Sequence, residues 1–174
     1  SDNVKHFYQL NDAIEWAESS LIEKHGVLAD YKAETKLSEQ ALLNGLSSDE
    51  LKELAKLANL KSYNAGECII HAKDSSQIIY FLLSGIVSVK VPNGVKLATL
   101  APGMAFGEMA LLDQGRTADV FAETEVKCFE LPVNSYKLFR NLHPSSSEQI
   151  IRNLGWMLSE RILKLNNKID TLTK

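Results

Sequence analysis

Cysteine and proline are scarce, with two and four positions among 174 residues. Cys68 and Cys128 stand far apart and form no cysteine pair at metal-ligand spacing. Both are expected to be buried, reduced thiols. Positive charge is not in excess: 19 Lys and Arg against 22 Asp and Glu give a net charge of -3. A dedicated nucleic-acid binder carries a basic face, so no nucleic acid is expected as a partner of this chain alone. The longest apolar run, Ile78 to Val89, is broken by Ser84 and Gly85 and bounded by Gln77 and Lys90. It falls far short of the roughly 20 residues of a bilayer helix, and no basic-then-apolar leader opens the chain. A cytoplasmic location and no membrane partner are therefore expected. The histidines, His6, His25, His71 and His143, are scattered and share no ligand spacing, so no metal is expected. No nucleophile–base set emerges either, and the chain is not expected to be an enzyme.

The composition, 45% hydrophobic and 24% charged, is that of a globular domain. A chain of this length buries roughly 70% of its unfolded surface and needs no covalent staple. Residues 1–60 read as helical. Asp12-Ala-Ile-Glu15 and Ser47-Ser-Asp-Glu50 are capping-box patterns, and Leu46 and Leu51 are placed for a hydrophobic staple. Ala29 to Lys36 is polar and patternless, a connector.

From Lys61 to Leu131 short β-rich runs follow one another: Glu67–His71, Gln77–Leu83, Ile86–Val91, Val95–Leu100, Asp119–Ala122 and Val126–Leu131. Glycine- and proline-containing turns separate them, and Asn93-Gly94 is a strong hairpin signal. This spacing predicts an antiparallel barrel or jelly roll. Beyond Val133 the pattern is helical again. Asn134 is placed to cap a short helix ending near His143-Pro144, and Ser145-Ser-Ser-Glu148 to open a long one reaching Leu172. From Leu158 onward its apolar residues form a heptad seam, which predicts a homodimer through the C-terminal helix. The fold class expected is thus α+β, an antiparallel β-roll with an N-terminal helical subdomain and two C-terminal helices. Its divisions are 1–36 (flanking helix and connector), 37–144 (β-roll with its helices) and 145–174 (C-terminal helix).

The segment from Phe106 to Val120, Phe-Gly-Glu-Met-Ala-Leu-Leu-Asp-Gln-Gly-Arg-Thr-Ala-Asp-Val, carries the chemistry. A glycine-led turn leaves backbone N–H groups unpaired and open to an anion. Arg116 offers a planar fork of donors suited to phosphate, and Glu108 can accept hydrogen bonds from sugar hydroxyls. Together they suit a ligand with one phosphate and a ribose. The duller alternative is a surface ion pair between Glu108 and Arg116.

This segment resembles the phosphate-binding cassette of cyclic nucleotide-binding domains: Phe-Gly-Glu, an Ala-Leu-Leu-like run, then Arg-Ser/Thr-Ala-x-Val. Ala65-Gly66-Glu67, Tyr80-Phe-Leu-Leu-Ser-Gly85, Leu100-Ala-Pro-Gly103, Leu131-Pro132 and His143-Pro144 extend the resemblance over about Leu37 to Ile162. It implies that Glu108 accepts from the ribose 2′-hydroxyl and that Arg116 binds a phosphate oxygen. It also implies that Gly107, Met109, Ala110 and Ala118, behind Phe106, present backbone groups, and that Thr117 reaches the phosphate or the purine. The ligand implied is cyclic AMP or cyclic GMP, with the last helix as a lid whose position reports occupancy. Three departures stand out. Glu108 to Arg116 is one residue shorter than the family spacing. Gly115 replaces the usual proline and is expected to remake the turn. Lys73-Asp74 stands where the family often has Gly-Asp.

Two alternatives differ in class. One is a ligandless β-roll acting as a dimerisation scaffold. The other is a fragment of a catabolite-activator-type transcription regulator, whose helix-turn-helix is not expected in the two residues after Leu172. Asn11 to Glu18 is also similar to the last helix of STAS domains, which precede cyclic nucleotide domains in some bacterial anion transporters and glutaminases. If that likeness holds, the chain, which opens on Ser rather than Met, is the regulatory tail of a larger protein; the alternative is an ordinary amphipathic flanking helix.

Overall fold

The computed structural model describes residues 34–172, with side chains through Leu163. The expected first helix, with Trp16 and the STAS-like segment, lies outside the described residues. Glu34 onward belongs to one compact unit. It is mixed α and antiparallel β, as expected. Short 3-10 turns at Leu37–Glu39 and Ala41–Leu43 lead into helix α1 (Ser48–Leu57). Eight strands follow: β1 (Asn59–Tyr63), β2 (Cys68–Ile70), β3 (Ile78–Ser84), β4 (Val87–Lys90), β5 (Lys96–Leu100), β6 (Ala105–Phe106), β7 (Asp119–Ala122) and β8 (Val126–Pro132). Helices α2 (Val133–Leu142) and α3 (Pro144–Leu172) close the chain. The strands form two four-stranded sheets, ordered β1-β8-β3-β6 and β2-β7-β4-β5.

Strand β3 organises both cores through the two-residue period of a strand. Tyr80 and Leu82 face the interior of the roll, where they join Ile70, Val87, Val120, Val126 and Cys128. Ile79 and Phe81 face the other way, into a second core with Leu54, Leu131, Phe139, Ile150 and Leu154 from the helices. A strand covered on both faces reads as an unbroken apolar run. Gly85 turns the chain out of β3 with φ +86, and a Cβ there would lie 2.2 Å from the Glu125 carbonyl oxygen. Only glycine fits.

All six expected strands are present, within about two residues of the reading at each end. The expected hairpin joins β4 to β5. Two strands are additional. β1 lies within or beside the region read as helical, and pairs with β8 from Asn59↔Glu130 to Tyr63↔Val126. It is an edge strand exposed over most of its length, so it lacks an alternating apolar signature. β6, two residues long, is too short to leave one.

Helix ends require three corrections or confirmations. At α1 the Ser47 hydroxyl accepts from the Glu50 N–H and Glu50 Oε2 accepts from the Ser47 N–H, the expected capping box. Asn134 does not cap α2. The cap position falls two residues earlier, at Pro132, where the Val133 N–H donates to the Gln77 carbonyl at the mouth of β3. Nor does Ser145 cap α3, which opens on Pro144, a residue suited to a first helical turn. The serines tie elements together instead. The Ser146 hydroxyl donates to Glu50, and the Ser147 hydroxyl pairs with the Tyr136 hydroxyl at 2.5 Å. Farther along α3, Asn153 Nδ2 donates to the carbonyls of Leu42 (2.9 Å) and Asn44 (2.8 Å). Trp156, on the same helix, is 66% exposed.

Glu50 therefore links α1 to α3. Hydrogen bonds from Ser146 and Ser47 hold its carboxyl down at about 2, against an ordinary 4.5. A depressed folded-state pKa contributes stability that is complete above about pH 4.5 and is lost as the pH falls toward about 2. Thermal unfolding between about pH 5 and pH 2 should show a steeper loss of Tm for the parent chain than for Glu50→Gln. Equal slopes would remove Glu50 from the acid transition.

Candidate phosphate-binding site

The segment from Phe106 to Ala118 crosses from β6 of one sheet toward β7 of the other. Phe106 ends β6 with its ring stacked on Tyr80, centroids 4.8 Å apart. Burial pushes the Tyr80 hydroxyl up to about 12, with the Glu130 carboxylate adding and Arg116 opposing. Gly107 then turns into the left-handed region at φ +68 and opens a 3-10 helix at Glu108–Leu112. A Cβ at 107 would meet Arg116 Nη1 at 2.7 Å and the Ile78 carbonyl oxygen at 2.8 Å. The glycine is needed for its φ and for the approach of the arginine.

The shortened cassette closes without help from Gly115. Asp113 takes the left-handed conformation, φ +53, and its N–H donates to the Ala110 carbonyl. The Gln114 N–H donates to the Met109 carbonyl at 3.2 Å. The expectation that Gly115 remakes the turn is thus corrected: Asp113 does so, a residue type that tolerates this region. Lys73, where the family often has glycine, also takes positive φ, +68. Its N–H donates to the Arg116 carbonyl at 2.8 Å, so the turn survives with a lysine in it.

Arg116 is 8% exposed. Nη1 donates to the Gly107 carbonyl at 3.0 Å and Nη2 to the Ile78 carbonyl at 2.7 Å, while buried Nε has no partner. Among the described residues no carboxylate forms an ion pair with it. Burial lowers its pKa, and through-space interaction with Tyr80, Asp74 and Glu108 opposes that. The guanidinium stays charged, as arginine does in proteins. The surface ion pair with Glu108 is not formed.

Glu108 pairs elsewhere. Its side chain is 5% exposed, and Oε1 accepts from Arg161 Nη1 of α3 at 2.5 Å. Arg161 was not among the residues singled out in the sequence, because nothing local marks a partner 53 positions away. Its Nη2 is buried and unpartnered. Of the other expected site residues, Ala110 is buried, Gly107 and Ala118 are half-buried, and Met109 and Thr117 are exposed. The structure thus brings Phe106, Gly107, Glu108 and Arg116 around one turn and leaves Thr117 at its rim.

Known proteins agree with this reading of the fold. Residues 60–143 match the family of cyclic nucleotide-binding domains. Glutaminase 1 of Bradyrhizobium diazoefficiens is 47% identical over 98% of this chain, which spans only 28% of that enzyme's length. The cAMP-activated global transcriptional regulator Vfr of Pseudomonas aeruginosa is 30% identical over 71% of the chain and 61% of the regulator. Among solved structures, the Thermus thermophilus catabolite activator protein superposes with a TM-score of 0.64 at 28% identity. That match covers 77% of this chain and 63% of the activator. No described helix is long and apolar enough to cross a membrane. With the matched family, the two-sheet roll and the glycine-led turn that holds a buried arginine all in agreement, the chain carries a cyclic nucleotide-binding domain of the catabolite-activator type.

Proposed function

We propose that this domain binds a 3′,5′-cyclic mononucleotide, with cyclic AMP the first candidate, and regulates a larger protein without doing chemistry itself. The observation that carries the reading is Arg116, a buried guanidinium with no carboxylate partner and an unpartnered Nε. A buried charge without a counter-charge is costly, and an incoming phosphate supplies one. Gly107, Met109, Ala110 and Ala118 offer backbone groups around the same turn, and Glu108 accepts from the ribose 2′-hydroxyl. The 47% identity to a glutaminase across nearly all of this chain supports a regulatory segment of a glutaminase-like enzyme. The cAMP-activated regulator Vfr supports the choice of ligand. A homodimer through distal α3 belongs to the same proposal, supported by Ile162, 56% exposed on that helix.

Occupancy reaches α3 through Arg161. A ribose hydroxyl donating to Glu108 shares the buried carboxylate with Arg161, so ligand and helix are coupled through one side chain. Differential contacts of this kind are what a ligand needs to shift a conformational equilibrium.

Calorimetry with cyclic AMP and cyclic GMP tests the binding. Arg116→Ala removes one partner of a desolvated charge pair and should cost about 2–5 kcal/mol, at least a thirtyfold loss of affinity. Binding within threefold of the parent would overturn the phosphate assignment and favour the ligandless scaffold.

Trp156 on α3 serves as an optical reporter in a Trp16→Phe background. Cyclic AMP should change its emission in the parent. In Arg161→Ala calorimetry should still detect binding, within about tenfold, while the emission change is lost. An unaltered emission change in that variant would separate α3 from the Glu108–Arg161 pair.

Thr117→Ala, titrated with both nucleotides, assigns the rim hydroxyl. One hydrogen bond is worth about 0.5–1.5 kcal/mol, roughly two- to twelvefold. Equal losses for both ligands are expected of a phosphate contact, and a loss confined to cyclic GMP would place the hydroxyl at the purine.

A further inference from the structure

A second cluster of chemistry-bearing side chains lies where β2 pairs with β7, the strand into which the cassette leads. Strands β2 and β7 pair antiparallel, with Cys68 opposite Phe121, Ile70 opposite Val120 and an irregularity between Cys68 and Ile70. His71 leaves β2 and Asp119 begins β7. Cys68 Sγ lies 3.4 Å from His71 Nδ1, and one ligand atom from each of Cys68, His71 and Asp119 falls within 4.8 Å of the others. In a tetrahedral zinc site, Zn–S of about 2.3 Å and Zn–N of about 2.1 Å separate sulfur from nitrogen by about 3.6 Å. The Cys68–His71 pair already stands near that spacing. Asp119 Oδ1 accepts the Ala72 N–H at 2.7 Å, which orients the carboxylate, and a second oxygen remains to ligate an ion.

We propose that Cys68, His71 and Asp119 form a three-ligand site for a zinc-class divalent cation. The donor set, one sulfur, one imidazole nitrogen and one carboxylate oxygen, suits a borderline-soft ion over magnesium or calcium, which take oxygen ligands. Three protein ligands leave a fourth position for water. The Cys68 thiol donates to the Ile70 carbonyl at 3.1 Å; binding breaks that contact, forms the metal–sulfur bond and releases the thiol proton to solvent. The site brackets the arginine of the cassette. Asp119 lies three residues beyond Arg116, and Lys73, which holds the Arg116 carbonyl, lies two residues beyond His71. A bound ion therefore cross-links β2 to β7, the strand into which the cassette leads.

Cobalt(II) is the probe, added to the purified, reduced full chain without nucleotide, so the outcome is independent of ligand binding at the cassette. One equivalent should give a thiolate-to-metal charge-transfer band and tetrahedral d–d bands, and zinc should displace it. Zinc in excess should also raise Tm by about 3 °C or more. Cys68→Ser should abolish the charge-transfer band, while Cys128→Ser and a His6→Ala/His25→Ala variant should keep it. Asp119→Asn can still accept the Ala72 N–H, so it tests ligation apart from folding and should weaken cobalt at least tenfold. Should Cys68→Ser fail to fold, zinc protection of Cys68 against iodoacetamide in the parent replaces it. Absence of the band, its survival in Cys68→Ser, absence of protection, or unchanged affinity in Asp119→Asn would each overturn the three-ligand assignment.

Discussion

The cassette is built around the desolvated guanidinium of Arg116. Holding a cation under the protein surface without a carboxylate requires acceptors fixed in advance. The chain supplies two carbonyls from segments far apart in sequence, Ile78 at the mouth of β3 and Gly107 after β6. Each has its own support. Ile78 is fixed because β3 pairs with β8 on one side and β6 on the other. Gly107 is fixed because Phe106 stacks on Tyr80 and because only a left-handed, side-chain-free residue admits the arginine at that distance. The two-sided burial of β3 thus serves the site as much as the core: the strand that joins the two hydrophobic clusters also places one of the arginine's acceptors.

What was legible in the sequence follows from how contiguous each feature is. β3 and β8 announce themselves because alternating or unbroken apolar residues are needed to fill cores on their faces. The cassette is legible because its turn, its short helix and its arginine sit within eleven residues of one another, so chemistry and spacing can be read together. β1 leaves no pattern, since an exposed edge strand is fixed by its partner β8 and not by its own side chains. The start of α2 is set by the Gln77 carbonyl across the fold, which outweighs the nearby capping residue Asn134. Arg161 and the Cys68–His71–Asp119 cluster escape a linear reading for the same reason: the groups that give each its meaning lie about 50 residues away and meet only when strands and helices pack.

Proximity in space also explains why the cassette tolerates a missing residue and a missing proline. The purpose of that loop is to return the chain so that Arg116 lies beneath Gly107. A left-handed Asp113 and two short backbone hydrogen-bonded turns accomplish that return. The left-handed Lys73 on the neighbouring loop accepts a conformational penalty for the same end, because its N–H steadies the arginine's own carbonyl.

Beyond its first turn, polar contacts with other elements grip helix α3 at two points of very different kind. Asn153 grips two backbone carbonyls, a contact with no charge to neutralise, whereas Arg161 grips one carboxylate. At 1.5 Å per residue, Arg161 lies about 12 Å beyond Asn153 and Leu172 about 28 Å beyond it. Under the proposed coupling through Arg161, the helix is a lever with its fulcrum at Asn153 and its effort arm at Arg161. If it pivots there as a rigid rod, an ångström of travel at the carboxylate becomes more than two at the far end.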